Sequence, residues 1–493
     1  MVPHRGMNVW TALMIDILLI HPAERGIDTG KEAHGGMPPL GMLCIAAFLE
    51  RKGLLVDFID CQIDDKDIGN YINREKPKIA GIGGTSHTRF EAFKIARKIK
   101  DIDPAIKVLF GGPHATFTSM DTLKNVPEID YIVRGEGEIT TLDICDKIIN
   151  GNGHVEDILG ISYRDKSGSI ILNPERPRIQ DLDSIPLPAR HKVDMKRYDM
   201  RMDYLGIPGT SVMTSRGCPV MCSFCSASAM FGTKLTLRSA SNVLDEVESL
   251  LAMGYKGIKF FDSTLTLQKR HILAICEEFK RRGLQDIPWE CEVRVNTVSK
   301  ELLAEMRESG CYLIDFGVES ASPKVLKEMH KSITVEQAEQ TLEWAKEVGL
   351  KTKVFFTFGH INETLDDAHK TFAFIKEHRN KIDQTGGGVG IKIYPGTRVE
   401  KFALENNLLP NSFSWSLPYC DEETDFFWGH THIPMLIQPG MGYRELRELR
   451  YKLIMPKLMN PVALGLALKK LVKSRNLGKI WKTLKGLYKA KFK

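Results

Sequence analysis

The chain has 493 residues, 43% of them hydrophobic and 26% charged, a make-up that suits soluble globular material divided into about two to four domains. Its formal charge of +6 misleads: Pro461 to Lys493 holds ten Lys or Arg and no Asp or Glu, leaving 58 basic against 62 acidic residues elsewhere, which argues against a general nucleic-acid binder. Ten cysteines in so long a chain, seven of them isolated (44, 61, 145, 276, 291, 311 and 420), make no disulfide framework, so a reducing, cytoplasmic setting is expected.

The first apolar run, MIDILLIHP (14–22), is broken by Asp16 and ended by Pro22, which predicts a buried strand and not a membrane span. PPLGMLCIAAFLERKG (38–53) follows with helical spacing and stops at Gly53. Further strands are predicted at 54–61, 78–83, 106–112 and 129–137, with amphipathic helices between them. That alternation predicts a parallel sheet with right-handed crossovers. Ligands of such sheets lie beyond the carboxyl ends of the strands. Those ends read GGTSHT (83–88), GGPHAT (111–116) and RGEGE (134–138). Glycines there let backbone approach a large ligand, and Thr85, Ser86, His87, His114 and Glu136 offer hydrogen bonds; the alternative is ordinary loop chemistry. No G-x-G-x-x-G follows the first strand, which disfavours a dinucleotide site.

PPLGMLCIAAFLERKG, GGPHAT and RGEGE together resemble the cobalamin-binding domain that precedes a radical S-adenosylmethionine (SAM) domain in one enzyme family. The resemblance implies a doubly wound, Rossmann-like domain over residues 12–150. It places Thr85, Ser86, His87, Gly111, Gly112, His114, Gly135, Glu136 and Gly137 around the corrin and its nucleotide tail. The chain departs from the better-known cobalamin motif D-x-H-x-x-G: HPAERGIDTGKEAHGG follows the first strand. No protein histidine is therefore expected beneath the cobalt, and His21 and His34 read as loop residues.

Residues 151–204 read as a connector, punctuated by SIPLPAR (184–190). A second αβ series then covers 205–410. Its first strand runs into SRGCPVMCSFCSAS (215–228), where Cys218, Cys222 and Cys225 cluster. Three thiolates suit a four-iron, four-sulfur cluster with one iron left open; zinc with a distant fourth ligand is the alternative. Strand-like runs at 257–265, 289–295, 313–320, 351–359 and 386–397 alternate with helical stretches. Ser299 and Thr334 are expected as helix N-caps, and Gly310 and Gly349 as stops. Six parallel strands predict a partial (β/α)6 TIM-type barrel with its site at the carboxyl ends, where Asp262, Ser263, Arg294, Glu319 and Ser320 fall. An ion pair inside the barrel is the structural alternative for Arg294 and Glu319. Cys291 and Cys311 read as core residues, and Cys420 as a loop cysteine.

The C-x3-C-x2-C spacing, with Phe224 before the last cysteine, resembles the radical SAM signature. Taken with the first domain, the resemblance spans roughly residues 12–410. It points to cobalamin-dependent radical SAM enzymes: class B methyltransferases and proteins like the anaerobic Mg-protoporphyrin monomethyl ester cyclase. It implies a 4Fe-4S cluster on Cys218, Cys222 and Cys225. It further implies SAM held by Phe224, Asp262, Ser263, Arg294, Glu319 and Ser320, bound cobalamin, and an external electron donor such as flavodoxin or ferredoxin. GHINET (359–364) stands where the family commonly has a Gly-Pro-Gly-Glu turn, which leaves the role of His360 open. The implied reaction is hydrogen removal from an unactivated carbon followed by methyl transfer, with ring-forming or oxidative relatives as alternatives. A cobalamin- or redox-sensing binding protein is a second reading, and strand-end residues matching a SAM site argue against it. An RNA-modifying methylthiotransferase is disfavoured because the upstream cysteines are isolated.

Residues 411–493 read as a helical region. From Asn460 onward apolar and basic residues alternate at helical spacing, with Trp481 and Tyr488 among them. That pattern fits a helix on an anionic membrane surface, and tilts the expected substrate toward a small molecule or lipid at the inner face of the membrane. A helix docked on the acidic body is the alternative.

Overall fold

A computed structural model of the protein describes residues 15–24, 36–151, 155–428 and 432–458. His34 and the basic tail lie outside the described residues. Contacts divide the described residues into two units: one within 15–24, 39–177 and 185–195, the other within 36–38, 178–184 and 196–458.

The first unit runs β1 (Ile17–His21), α1 (Leu40–Arg51), β2 (Val56–Asp60), α2 (Ile68–Glu75), β3 (Ile79–Gly83), α3 (Arg89–Ile102), β4 (Lys107–Gly111), α4 (Pro113–Phe117), α5 (Ser119–Asn125), β5 (Tyr131–Val133), α6 (Glu138–Asn150), β6 (Ile161–Arg164) and β7 (Ile170–Leu172). Strand order is β2-β1-β3-β4-β5-β6-β7. The first five are parallel; β6 and β7 are antiparallel. Both faces of the parallel part are buried, since successive strand residues point to opposite faces. Leu18, Ile20, Ile82 and Phe110 pack with α2 and α3, while Ile17, Leu19, Leu109 and Val133 pack with α1 and α6. The order reverses between β1 and β3, the switch point at which such sheets open a crevice. The stretch expected to be a plain connector instead extends this sheet with a hairpin, and Arg134 ties it down by donating to the carbonyls of Ile161 and Asn173.

The second unit runs β8 (Gly209–Val212), β9 (Ser215–Arg216), α7 (Ala227–Phe231), β10 (Thr236–Leu237), α8 (Ala240–Ala252), β11 (Gly257–Phe260), α9 (Lys269–Arg281), β12 (Trp289–Val293), α10 (Lys300–Glu308), β13 (Cys311–Glu319), α11 (Pro323–Glu328), α12 (Val335–Glu347), β14 (Lys351–Phe358), α13 (Leu365–Glu377), β15 (Gln384–Val389), α14 (Arg398–Glu405), α15 (Glu422–Trp428) and α16 (Tyr443–Leu458). β8, β11, β12, β13, β14 and β15 pair in that order, all parallel. This is the six-strand partial barrel. Ser299 and Thr334 cap α10 and α12 as expected, Thr334 in a reciprocal capping box with Gln337. Gly310 and Gly349 follow α10 and α12 at positive φ. One core joins the outward strand residues Phe260, Trp289, Phe316 and Phe356 to α8, α9, α10, α12 and α13. Cys276, Cys291 and Cys311 belong to it. The alternate residues of each strand therefore face the barrel interior. Among the described residues, no helix is long and apolar enough to cross a membrane.

Candidate active site

The segment leading into the cysteine loop is held by Asp262. This buried carboxylate accepts from the Thr214 N–H (3.0 Å), the Thr214 hydroxyl (3.1 Å) and the Ser215 hydroxyl (2.5 Å). Burial still pushes the Asp262 carboxyl up to about 6. Asp262, expected to face SAM, is thus turned onto the chain that presents the cysteines, whereas Ser263 beside it is exposed. Backbone bonds fix the loop itself. Cys218 N–H donates to Gly232 O (3.0 Å), Cys225 N–H to Cys222 O (3.2 Å), Ser223 N–H to Met329 O (2.8 Å) and Val399 N–H to Ser223 O (3.0 Å).

Cys218 is buried, Cys222 half-buried and Cys225 exposed. Burial holds the Cys218 thiol above its usual value, and the neighbouring Cys222 adds to the effect. Burial, and after it the neighbouring Cys222 and Cys218, also raise the Cys225 thiol. Three thiolates grouped in one loop suit a 4Fe-4S cluster with one iron left open.

Two cations face this loop. Arg294 Nη1 lies 4.0 Å from Cys222 Sγ; its other nitrogens donate to the Lys331 carbonyl and to Asn296 Oδ1. Lys331 is only 7% exposed, stands 3.2 Å from Glu319 Oε1, and lies over the Phe224 ring at 5.7 Å. Glu319 follows a bulge after Gly317 and has φ +68°, a conformation rare outside glycine and enriched at functional sites. Gly317 makes room for this pair: a Cβ there would meet Glu319 Oε1 at 2.2 Å and Lys331 Nζ at 2.9 Å. The other Glu319 oxygen accepts from the Thr357 hydroxyl (2.9 Å), which leaves Thr357 to accept from His360 Nε2 (2.6 Å). Burial and the Lys331 charge push His360 down to about 3, so its ring is neutral. It packs edge-on against Phe224 at 5.4 Å. The turn at GHINET is closed by Glu363, which accepts from the Gly359 and His360 N–H groups (2.6 and 2.9 Å). Ser320 departs from expectation. It is fully buried, accepts from the Ser322 N–H and pairs with Thr371 of α13, so it faces the helices and not the barrel mouth.

In the first unit, Gly112 turns the chain at φ +99°, and a Cβ there would meet Gly84 O at 2.7 Å. The β3 and β4 ends are therefore packed backbone to backbone, with Gly84 N–H donating to Gly111 O (2.9 Å). His114 is 1% exposed and bonds Ser86 Oγ at 3.0 Å. These two were expected to meet the corrin; they lock the β3 and β4 loops together. Thr85 remains exposed, His87 pairs with Glu24 (3.1 Å), and Gly111, Gly112, Gly135, Glu136 and Gly137 are half-buried at the carboxyl edge. Gly135 has positive φ with open space around its Cβ position, so bare backbone is presented there. His21 ends β1 and bonds the buried Asp60 at 3.0 Å.

Lys331, Thr357 and the inward carboxylate Glu292 are not singled out by the motifs, whereas Glu363 falls within the GHINET turn. For Glu292 a signal was present: WECEVRV alternates apolar and charged residues in a strand whose apolar half faces helices. Lys331 sits in a short segment between two helices, where only tertiary neighbours reveal its place. Cys420 is exposed and lies 3.8 Å from His432 Nδ1.

Residues 28–144 match the B12 binding domain, and residues 212–375 match the Radical SAM superfamily. The chain is 36% identical over 396 residues to an uncharacterised methyltransferase of Pyrococcus horikoshii, covering 80% of this chain and 84% of that protein. It is 28% identical over 374 residues to the anaerobic magnesium-protoporphyrin IX monomethyl ester cyclase of Rubrivivax gelatinosus, 73% of this chain and 65% of that one. Identity to the hopanoid C-3 methylase of Methylococcus capsulatus is 24% over 327 residues, 64% of this chain and 60% of that one. The radical SAM methyltransferase TsrM from Kitasatospora setae, with cobalamin and a 4Fe-4S cluster bound, shares the fold with a TM-score of 0.65 at 20% identity, over 79% of this chain and 76% of that one. The chain belongs to the cobalamin-binding radical SAM family: it is a radical SAM enzyme of the methyltransferase type, with a 4Fe-4S cluster, SAM and cobalamin as its cofactors.

Proposed function

We propose that the protein methylates an unactivated carbon of a lipid or other membrane-borne substrate. The observation that carries the reading is a cysteine loop flanked by Arg294, Lys331 and Glu319 in a chain that also carries a B12-binding domain. When bound, the cluster and SAM supply a hydrogen-abstracting radical, and cobalamin supplies a transferable methyl group.

The chain's own part is placement. Cys218, Cys222 and Cys225 would hold three irons and leave the fourth for SAM. Arg294 would take the SAM carboxylate, since a planar guanidinium suits that fork and its orientation is already fixed by the Lys331 carbonyl. Glu319, aimed by Lys331 and Thr357, would accept from SAM hydroxyls, and exposed Ser263 would meet the amino group. In the first unit the Gly111–Gly112 and Gly135–Gly137 backbone and the Thr85 hydroxyl would contact the corrin, on an edge stiffened by Ser86 and His114. The lipid assignment is supported by a relative named for hopanoid methylation and by the basic, aromatic tail of 460–493.

Lipid extracts of cells with and without the protein test the reading. A compound heavier by one methyl in the first only, and absent with Cys222→Ala, is expected. A product that differs by ring closure and loss of hydrogen, without an added methyl, would favour the cyclase chemistry for which the Rubrivivax relative is named. Liposome flotation of the full chain against one ending at Asn460 tests the membrane element; equal flotation removes it.

A further inference from the structure

The barrel interior below the cysteine loop is a layered set of charges. In one layer Lys259 of β11 bonds Glu290 of β12 and Asp315 of β13, each at 3.1 Å. Tyr312 donates to Glu290, and Lys353 of β14 bonds Asp203 at 2.7 Å with Asp315 at 4.0 Å. Nearer the mouth Lys331 bonds Glu319. Each of those interior carboxylates has a cationic partner.

Glu292 has none. It lies on the inward face of β12, between Glu290 and Arg294, in register with Asp315. It is half-buried, so solvent reaches it, and among the described residues it has no hydrogen-bond or ion-pair partner. Beside it, the buried Asp315 also keeps one oxygen, Oδ1, without a hydrogen-bond partner. Lys259 and Lys331 act on Glu292 only at a distance, and burial with the Asp315 charge pushes its carboxyl up to about 7. An interior that pairs Glu290, Asp315 and Glu319 with cations and leaves Glu292 reachable has an open acceptor site.

We propose that Glu292 receives a hydrogen-bond-donating head group, a hydroxyl or an ammonium, of the methyl acceptor. The acceptor is then amphipathic: its polar end enters the barrel and its reacting carbon stays at the mouth. This deepens the proposed function and rests on it. SAM is a poorer occupant of the site. Its amino-acid part is expected at the open iron, at the level where Arg294 meets Cys222. Glu292 is two residues deeper along the strand, about 6.6 Å by the strand rise.

The test uses full-length, reconstituted, reduced enzyme with cobalamin, SAM carrying a carbon-14 methyl, and an extract of the source cells. It is run with wild type, Glu292→Gln and Glu292→Asp. Two readouts are taken: 5′-deoxyadenosine, and label in compounds before and after acylation of amines and hydroxyls. Glu292→Gln should keep 5′-deoxyadenosine formation and the cluster's electron paramagnetic resonance (EPR) spectrum, yet lose label transfer by about 30-fold, the scale of one charge-assisted hydrogen bond. Glu292→Asp should recover part of the loss, and the labelled acceptor should be acylated. Three results would overturn the proposal: equal label transfer by Glu292→Gln; parallel loss of 5′-deoxyadenosine and label, which assigns Glu292 to SAM; or a wild type that makes 5′-deoxyadenosine but labels no acylatable compound. A wild type that makes no 5′-deoxyadenosine would instead sink the radical SAM reading on which this one rests.

Discussion

Lys331→Met isolates the ion pair that aims Glu319 at the barrel mouth. The two side chains are each 9% exposed, and their charges stand 3.2 Å apart. At an effective dielectric of about 20, that separation corresponds to about 5 kcal/mol of Coulomb attraction. The desolvation of both ions offsets much of it, so the intact pair adds little net stability. Removing only the lysine is different. Glu319 would stay charged and buried with the Thr357 hydroxyl alone, and such broken pairs cost about 3 kcal/mol. Adding Glu319→Gln removes the stranded charge and should bring stability back to within about 1 kcal/mol of wild type. Urea unfolding of the cluster-free protein, followed by tryptophan fluorescence, measures this, because Trp289, Trp344 and Trp415 all lie in the second unit. Lys331→Arg should retain most of the stability. A Lys331→Met protein as stable as wild type, or a double variant whose loss is the sum of the single losses, would refute the reasoning.

Glu292 carries a pH signature. Its carboxyl titrates near 7 when folded against a usual 4.5, so the folded state holds a proton that the unfolded chain releases. Its contribution to stability is full below about 4.5 and is lost as pH rises to about 7; Glu292→Gln should flatten urea midpoints across that window relative to wild type. Gly387→Ala places a Cβ 1.9 Å from the Phe356 carbonyl at φ +87°, which should cost more than about 4 kcal/mol and yield insoluble protein on expression. Thr334→Ala removes the capping box of α12 and should lower the urea-unfolding stability by about 1 kcal/mol, without changing iron content. Asp262→Asn weakens the grip on Thr214 and Ser215 and should lower iron retained per chain after gel filtration, while the far-ultraviolet circular dichroism stays unchanged.

The αβ alternation was legible in the sequence because both sheets bury hydrophobic strands against amphipathic helices, a local and periodic signal. The cysteine loop was legible because its spacing is itself the chemistry. The β6–β7 hairpin was not: its strands are short, Ile161–Arg164 and Ile170–Leu172, and flank a polar turn that reads as linker. Side-chain direction was also hidden where the chain turns sharply. His114 follows Gly112 at φ +99° and is carried inward to Ser86. Ser320 follows the Glu319 kink and is carried outward to Thr371. Asp262 looked free because its partners, Thr214 and Ser215, are nearly fifty positions earlier in the chain. Lys331 lacked any local periodicity, and its role arises only where four separate segments meet.

The most direct measurement is the EPR spectrum of the reduced, anaerobically reconstituted enzyme with and without SAM. If Cys218, Cys222 and Cys225 hold three irons and leave one open, the wild type shows a 4Fe-4S signal whose line shape changes when SAM is added, and Arg294→Met weakens that change. A signal indifferent to saturating SAM, or a full cluster retained after Cys225→Ala, would contradict the account.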